Sequence, residues 1–166
     1  MSGYAAFKEE TTKLILGKNC RAIAEKRVAC IQSLSGTGAL RVGGIFINRF
    51  MAGRTIHLPS PTWGNHNAIF KQAGVPAKTY KYINSKMGLD FDGMISDLKK
   101  AADGDIVLLH SCAHNPTGVD PTMAQWKIIA DVMQSKKMIP FFDSAYQGYA
   151  SGSLEVPPTL TRLFTT

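Results

Sequence analysis

An α/β fold, with a mainly parallel sheet flanked by helices, is what this sequence predicts on three observations. Strand-like and helix-like segments alternate from Arg27 onward, the order that lays helices over a parallel sheet. The run from Asp105 to His110 is apolar through its middle, as a buried strand must be. Four loops rich in Gly, Pro, Ser and Asn, namely SLSGTG, PSPTWGNH, SCAHNPTG and DSAYQG, each follow a predicted strand. In such sheets ligands gather at the carboxyl ends of the strands, so these loops are expected on one rim.

The elements follow in order. Tyr4 to Lys18 reads as a helix with Phe7, Leu14 and Ile15 as its apolar contacts. Arg27 to Ile31 is a short apolar run and reads as a buried strand. The run from Ser33 to Phe50 opens with turn residues and then continues helix-like through Leu40, Ile45, Phe46 and Phe50. Thr55 to Leu58 is a strand, and His66 to Gly74 a helix closed by its glycine. Lys78 to Ile83 alternates as a strand does, and Asp90 or Asp92 caps a helix running to Ala102. Asp105 to His110 is the next strand. Pro121 suits a first helical turn, with Asp120 as the expected cap, and that helix runs to about Lys136. Met138 to Phe142 is the last strand, ending at Asp143 before a glycine-bearing loop from Ser144 to Ser153.

The 166 residues are expected to form a single domain, with no internal repeat or linker. No apolar run is long enough to span a membrane. MSGYAAFKEE lacks the basic start and apolar centre of a signal peptide, so an intracellular, reducing setting is expected. The three cysteines, Cys20, Cys30 and Cys112, are then expected as free thiols. Net charge is +7, but the lysines are scattered and not striped with aromatics, which argues against a nucleic-acid partner and suits an acidic small molecule.

Four constellations carry chemistry. Ser35-Gly36-Thr37-Gly38 before a helix can present N–H groups to a phosphate, or serve only as a tight turn. Trp63 can stack on a flat ligand, or plug its loop onto the core. His110, Cys112 and His114 sit at alternate positions, but no fourth ligand or paired spacing completes a zinc site, so no metal is expected. Asp143 ends an apolar strand, where a carboxylate is costly unless paired. It can cap a helix or hold a cationic ring nitrogen, and Tyr146 can aim its hydroxyl at the same ligand. The pattern lacks the glycine fingerprint and the later acidic residue of a dinucleotide-binding domain.

Taken together, SGTGALRVG, SPTWGNHN, HSCAHNPTGVDPTMAQW and PFFDSAYQGYASG resemble the aspartate aminotransferases, pyridoxal-phosphate enzymes of fold type I. The resemblance runs from about Tyr4 to Glu155. It implies the central part of the large, cofactor-binding domain, incomplete by itself. It further implies pyridoxal 5'-phosphate as cofactor, aspartate and 2-oxoglutarate as substrates, a homodimer, and a cytoplasmic or mitochondrial setting. Gly36 and Thr37 would bind the cofactor phosphate, and Trp63 would stack on its ring. Asp143 would pair with the ring nitrogen, with His66 behind it. Asn115 and Tyr146 would reach the ring's phenolic oxygen, and Trp63 and Asn115 would contact substrate. His110 and Cys112 are left as strand-end packing, and Pro61 and Pro116 match positions of cis bonds. The family's Schiff-base lysine lies downstream of DSAYQG, and none of the lysines here stands in that context. The substrate-gripping arginines are absent too. The chain alone is therefore expected not to transaminate, the alternative being an inert fragment or binding module.

Overall fold

The computed structural model describes residues 2–153. Its centre is a four-stranded sheet in the order β2-β1-β3-β4, parallel throughout. The strands are β1 (Ile56–Ser60), β2 (Ala77–Lys81), β3 (Ile106–His110) and β4 (Ile139–Asp143). Around them run α1 (Ala5–Leu16), α2 (Arg21–Ala24), α3 (Ser35–Phe50), α4 (Asn65–Gln72), α5 (Phe91–Lys100) and α6 (Met123–Ser135).

The central strand β3 shows why the sequence needs two helix layers. Every residue from Ile106 to His110 is buried, so both faces must be covered. Successive side chains alternate between faces. Val107 and Leu109 enter a core with Met94 and Leu98 of α5 and Trp126, Ile129 and Met133 of α6. Ile106 and Leu108 enter the opposite core, with Leu40 and Ile47 of α3 and Ile69 and Phe70 of α4. The predicted α/β class is what the chain adopts.

Close packing between α3 and α4 depends on Gly44. A Cβ there would stand 2.8 Å from the Cβ of Ala73, a distance side-chain rotation cannot relieve. Gly44→Ala is expected to cost about 1–3 kcal/mol despite alanine's better helix propensity, as overpacking does. Urea unfolding of the two proteins checks this, and an unchanged midpoint would refute it.

Three sequence expectations need correction. Arg27 to Ile31 forms no strand, because no neighbouring strand among the described residues supplies a ladder, and Ile31 is exposed. Phe7 and Leu14 are exposed on α1, which buries no residue and whose described ties include the Gln147 amide donating to the Leu14 carbonyl. Asp120 does not cap α6. Thr122 does, in a reciprocal box with Gln125, and so leaves Asp120 free to accept from the amides of Ala113 and His114. Elsewhere Asp90, one of the two expected candidates, caps α5 by accepting from the Gly93 amide. All three cysteines are free.

The rim opposite the glycine-rich loops is locked by a buried pair that the sequence did not signal. His57 Nε2 lies 2.8 Å from an Asp105 carboxylate oxygen, and the Thr55 amide donates to the other oxygen. Burial pushes the Asp105 carboxyl up. The bonds from His57 and from the Thr55 and Ala102 amides outweigh that and hold it below its ordinary value.

Candidate functional site

The carboxyl ends of β1, β3 and β4 and the start of α3 surround a cleft of about 260 Å³. Gly36, Thr37, Trp63, Asn115, Asp143 and Tyr146 all line it, although they come from four separated stretches of chain. The α3 start remains at this rim even though the segment before it is not a strand.

The floor of the cleft is Asp143, the last residue of β4, whose side chain is about one-fifth exposed. His66 on α4 is fully buried behind it, with Nε2 2.9 Å from the Asp143 carboxylate and Nδ1 2.7 Å from the Thr62 hydroxyl. An ionised carboxylate can only accept, so Nε2–H donates to it, while Nδ1 and the Thr62 hydroxyl share the other hydrogen bond. That hydrogen bond holds the Asp143 carboxyl below its ordinary value, against the opposing pull of burial. The cleft thus has a fixed negative charge at its base.

At one wall α3 begins with no side-chain cap, and Ser35 takes a left-handed φ of 57° that turns the chain sharply into the helix. The first amides of a helix have no intrahelical acceptor. Gly36 and Thr37 therefore offer N–H donors and the positive end of a helix dipole to an anion. Trp63 stands on another wall, its ring edge-on to His66 at 5.4 Å. The Asn115 side-chain amide donates to the Tyr146 hydroxyl at 3.4 Å. The Ser60–Pro61 and Asn115–Pro116 bonds are both cis, as the resemblance implied.

The HSCAH stretch contributes His110 to a group of three possible ligand side chains. His66, His110 and Asp143 bring ligand atoms within 4.8 Å of one another. Yet His66 Nε2 already serves Asp143, and His110 Nδ1 accepts the Asn115 amide at 3.2 Å. Burial pushes His110 down to about 4, so the ring is neutral at neutral pH and its single proton sits on Nε2. His114 does not join the cluster through a ligand atom; it is 1 % exposed and stacked on Tyr82. Burial pushes the Cys112 thiol up, so Cys112 lines the cleft as a neutral thiol.

Residues 1–165 match the family model described as aminotransferase class I and II. The chain belongs to that family. It is 54 % identical to the mitochondrial aspartate aminotransferase P2 of Lupinus angustifolius, over 99 % of this chain and 36 % of that one. Among solved structures, a cytoplasmic aspartate aminotransferase of Saccharomyces cerevisiae superposes with a TM-score of 0.93 at 43 % identity, covering 98 % of this chain and 40 % of that one. An aromatic-amino-acid aminotransferase of Burkholderia pseudomallei, covalently bound to pyridoxal phosphate, gives 0.94 at 40 % identity, covering 99 % and 41 %. The chain thus spans well under half the length of the relatives it matches, as a segment of a fold-type I aminotransferase.

Within this family member, sequence reasoning missed His110 as a member of the site. Its ring packs edge-on to His66 at 5.4 Å, and its buried Nε2–H has no hydrogen-bond partner among the described residues. Position alone hid it: a histidine ending a buried strand reads as packing until the neighbouring strand brings Asp143 alongside at the same register.

Proposed function

We propose that this chain is the incomplete cofactor-binding domain, residues 1–166, of a pyridoxal-phosphate-dependent aspartate aminotransferase. The full enzyme would exchange an amino group between aspartate and 2-oxoglutarate, as a homodimer, in the cytoplasm or mitochondrion. The observation that carries this reading is Asp143, held ionised by His66 at the base of a cleft whose other end is an uncapped helix start.

The residues fit the cofactor by the chemistry of the donor set. An anionic phosphate suits the Gly36 and Thr37 amides. A cationic ring nitrogen suits the Asp143 carboxylate. A flat ring suits the Trp63 face, and a phenolic oxygen suits the Tyr146 hydroxyl and the Asn115 amide. Asn115 also stands where it can seat a substrate carboxylate. When bound, the cofactor supplies an electron sink for bond breaking at the amino acid's α-carbon. The chain's own part is electrostatic: His66 keeps its proton on Nε2, so Asp143 keeps its charge and the ring nitrogen keeps its proton. Among the described residues no lysine or arginine lines the cleft. The described lining therefore supplies neither a proton-shuttling lysine nor an arginine grip on substrate carboxylates, and on this reading the chain by itself binds cofactor without transaminating.

The test is titration with pyridoxamine phosphate, a form that needs no Schiff-base lysine, followed by tryptophan fluorescence. Trp126 is buried in the α6 core and Trp63 lines the cleft, so saturable quenching should come from Trp63 and vanish in Trp63→Phe. Quenching that persists in Trp63→Phe, or none at all, would refute the reading. Aspartate-dependent turnover by the chain at enzyme-like rates would refute its inertness.

A further inference from the structure

We infer that Tyr82 is a positioning residue that joins the two loops carrying Trp63 and Asn115, resting on the cofactor reading of the cleft for its functional consequence. Tyr82 lies just past β2, touches no cleft surface, and is 3 % exposed. Its backbone and its side chain go to different loops. The Tyr82 amide donates to the Ser60 carbonyl at 3.3 Å, at the root of the loop that presents Trp63. Its ring lies flat on His114, with centroids 3.7 Å apart and planes 15° from parallel. Its hydroxyl donates to the Val119 carbonyl at 2.7 Å.

The loop so gripped is closed on itself. His114 Nδ1 is 2.8 Å from the Thr117 hydroxyl, the Gly118 amide donates to the His114 carbonyl, and Asp120 accepts from the amides of Ala113 and His114. Asn115 is therefore the projecting member of a closed unit, held to the strand layer on one side by its own amide donating to His110 Nδ1 on β3 and on the other by the Tyr82 ring and hydroxyl. With the Tyr82 side of this hold removed, the closed loop pivots as a body about its remaining tie at His110. Asn115 then shifts relative to Tyr146 and the cleft.

The two kinds of tie predict an asymmetry that general destabilisation does not. Side-chain changes at Tyr82 remove the grip on the Asn115 loop but leave the backbone bond to Ser60. In ¹⁵N-labelled chain without ligand, Tyr82→Phe and Tyr82→Leu are expected to shift the Asn115 side-chain amide pair, the leucine more, while the Trp63 indole signal stays in place. Pyridoxamine phosphate affinity is expected to fall about fivefold in Tyr82→Phe, the fold-change of about one hydrogen bond, and further in Tyr82→Leu. An unmoved Asn115 pair, or a Trp63 signal that moves as far, overturns the inference. If Tyr82→Leu does not fold, Tyr82→Phe, which keeps the stacked ring, decides it. If even the unaltered chain fails to bind pyridoxamine phosphate, the cofactor reading falls while the two signals still decide the role of Tyr82.

Discussion

Asp143→Ala is expected to weaken pyridoxamine phosphate binding about 10- to 100-fold, the equivalent of one hydrogen bond between charged groups at about 1.5–3 kcal/mol. The carboxylate is the only fixed negative group among the described residues lining the cleft, and the proposed function pairs it with the cofactor's ring nitrogen. Its loss also strands His66, which is fully buried and would keep an Nε2–H with no acceptor. That orphan donor is expected to cost a further ~1–3 kcal/mol of folding stability. Asp143→Asn separates the two effects. It retains an oxygen for His66 but no charge for the ring nitrogen, so binding should fall nearly as far as in Asp143→Ala while stability falls less. Fluorescence titration and urea unfolding on the same samples read both quantities. Affinity within twofold of the unaltered chain in Asp143→Ala would remove the charge pairing from the site.

Acidification from pH 7 to pH 4.5 is expected to destabilise the chain by about 2–3 kcal/mol for each of two histidines, by proton linkage. Burial pushes His110 down to about 4 and His114 to about 3 in the folded state, from an ordinary 6.5. The sign follows from which state binds the proton. Between about pH 6.5 and 4 the unfolded rings take up protons that the folded rings refuse, so stability is full above pH 6.5 and falls as pH drops. Asp143 and Asp105, both held below their ordinary values in the folded state, add losses in the same direction at still lower pH. With total stabilities of small domains near 5–15 kcal/mol, unfolding by about pH 4.5 is within reach. His114→Phe keeps a flat ring on Tyr82 but cannot titrate. It should lose about 2–3 kcal/mol less than the unaltered chain between pH 7 and pH 4.5. Equal losses in the two proteins would show that the His114 ring is already accessible to protons.

The elements that were legible in the sequence are those whose signal is local. Ile106 to Leu109 could only be a strand covered on both sides, and the alternate entry of Val107 and Leu109 into one core and Ile106 and Leu108 into the other follows from the two-residue period. An acidic cap on α5 and the end of β4 at Asp143 were legible for the same reason. That the candidate residues would gather at one cleft was legible at the level of motif. SGTG, PTWGNH, HNPTG and DSAY each have a composition that only a few loop geometries explain, and their common position after predicted strands placed them on one rim.

What remained was decided by contacts between distant parts of the chain. A β-strand needs a neighbour, and nothing within Arg27 to Ile31 reveals that its ladder goes unpaired among the described residues. Asp120 and Thr122 are both good caps, and the choice between them is set by Ala113 and His114, whose amides also need an acceptor. His57 with Asp105, His66 with Asp143 and Tyr82 with His114 are partners 48, 77 and 32 positions apart. Periodicity and propensity act over a few residues, so they could set the class of this fold and the chemistry of its loops. Which buried proton sits on which nitrogen depends on partners that only the closed sheet brings within about 3 Å, the reach of a hydrogen bond.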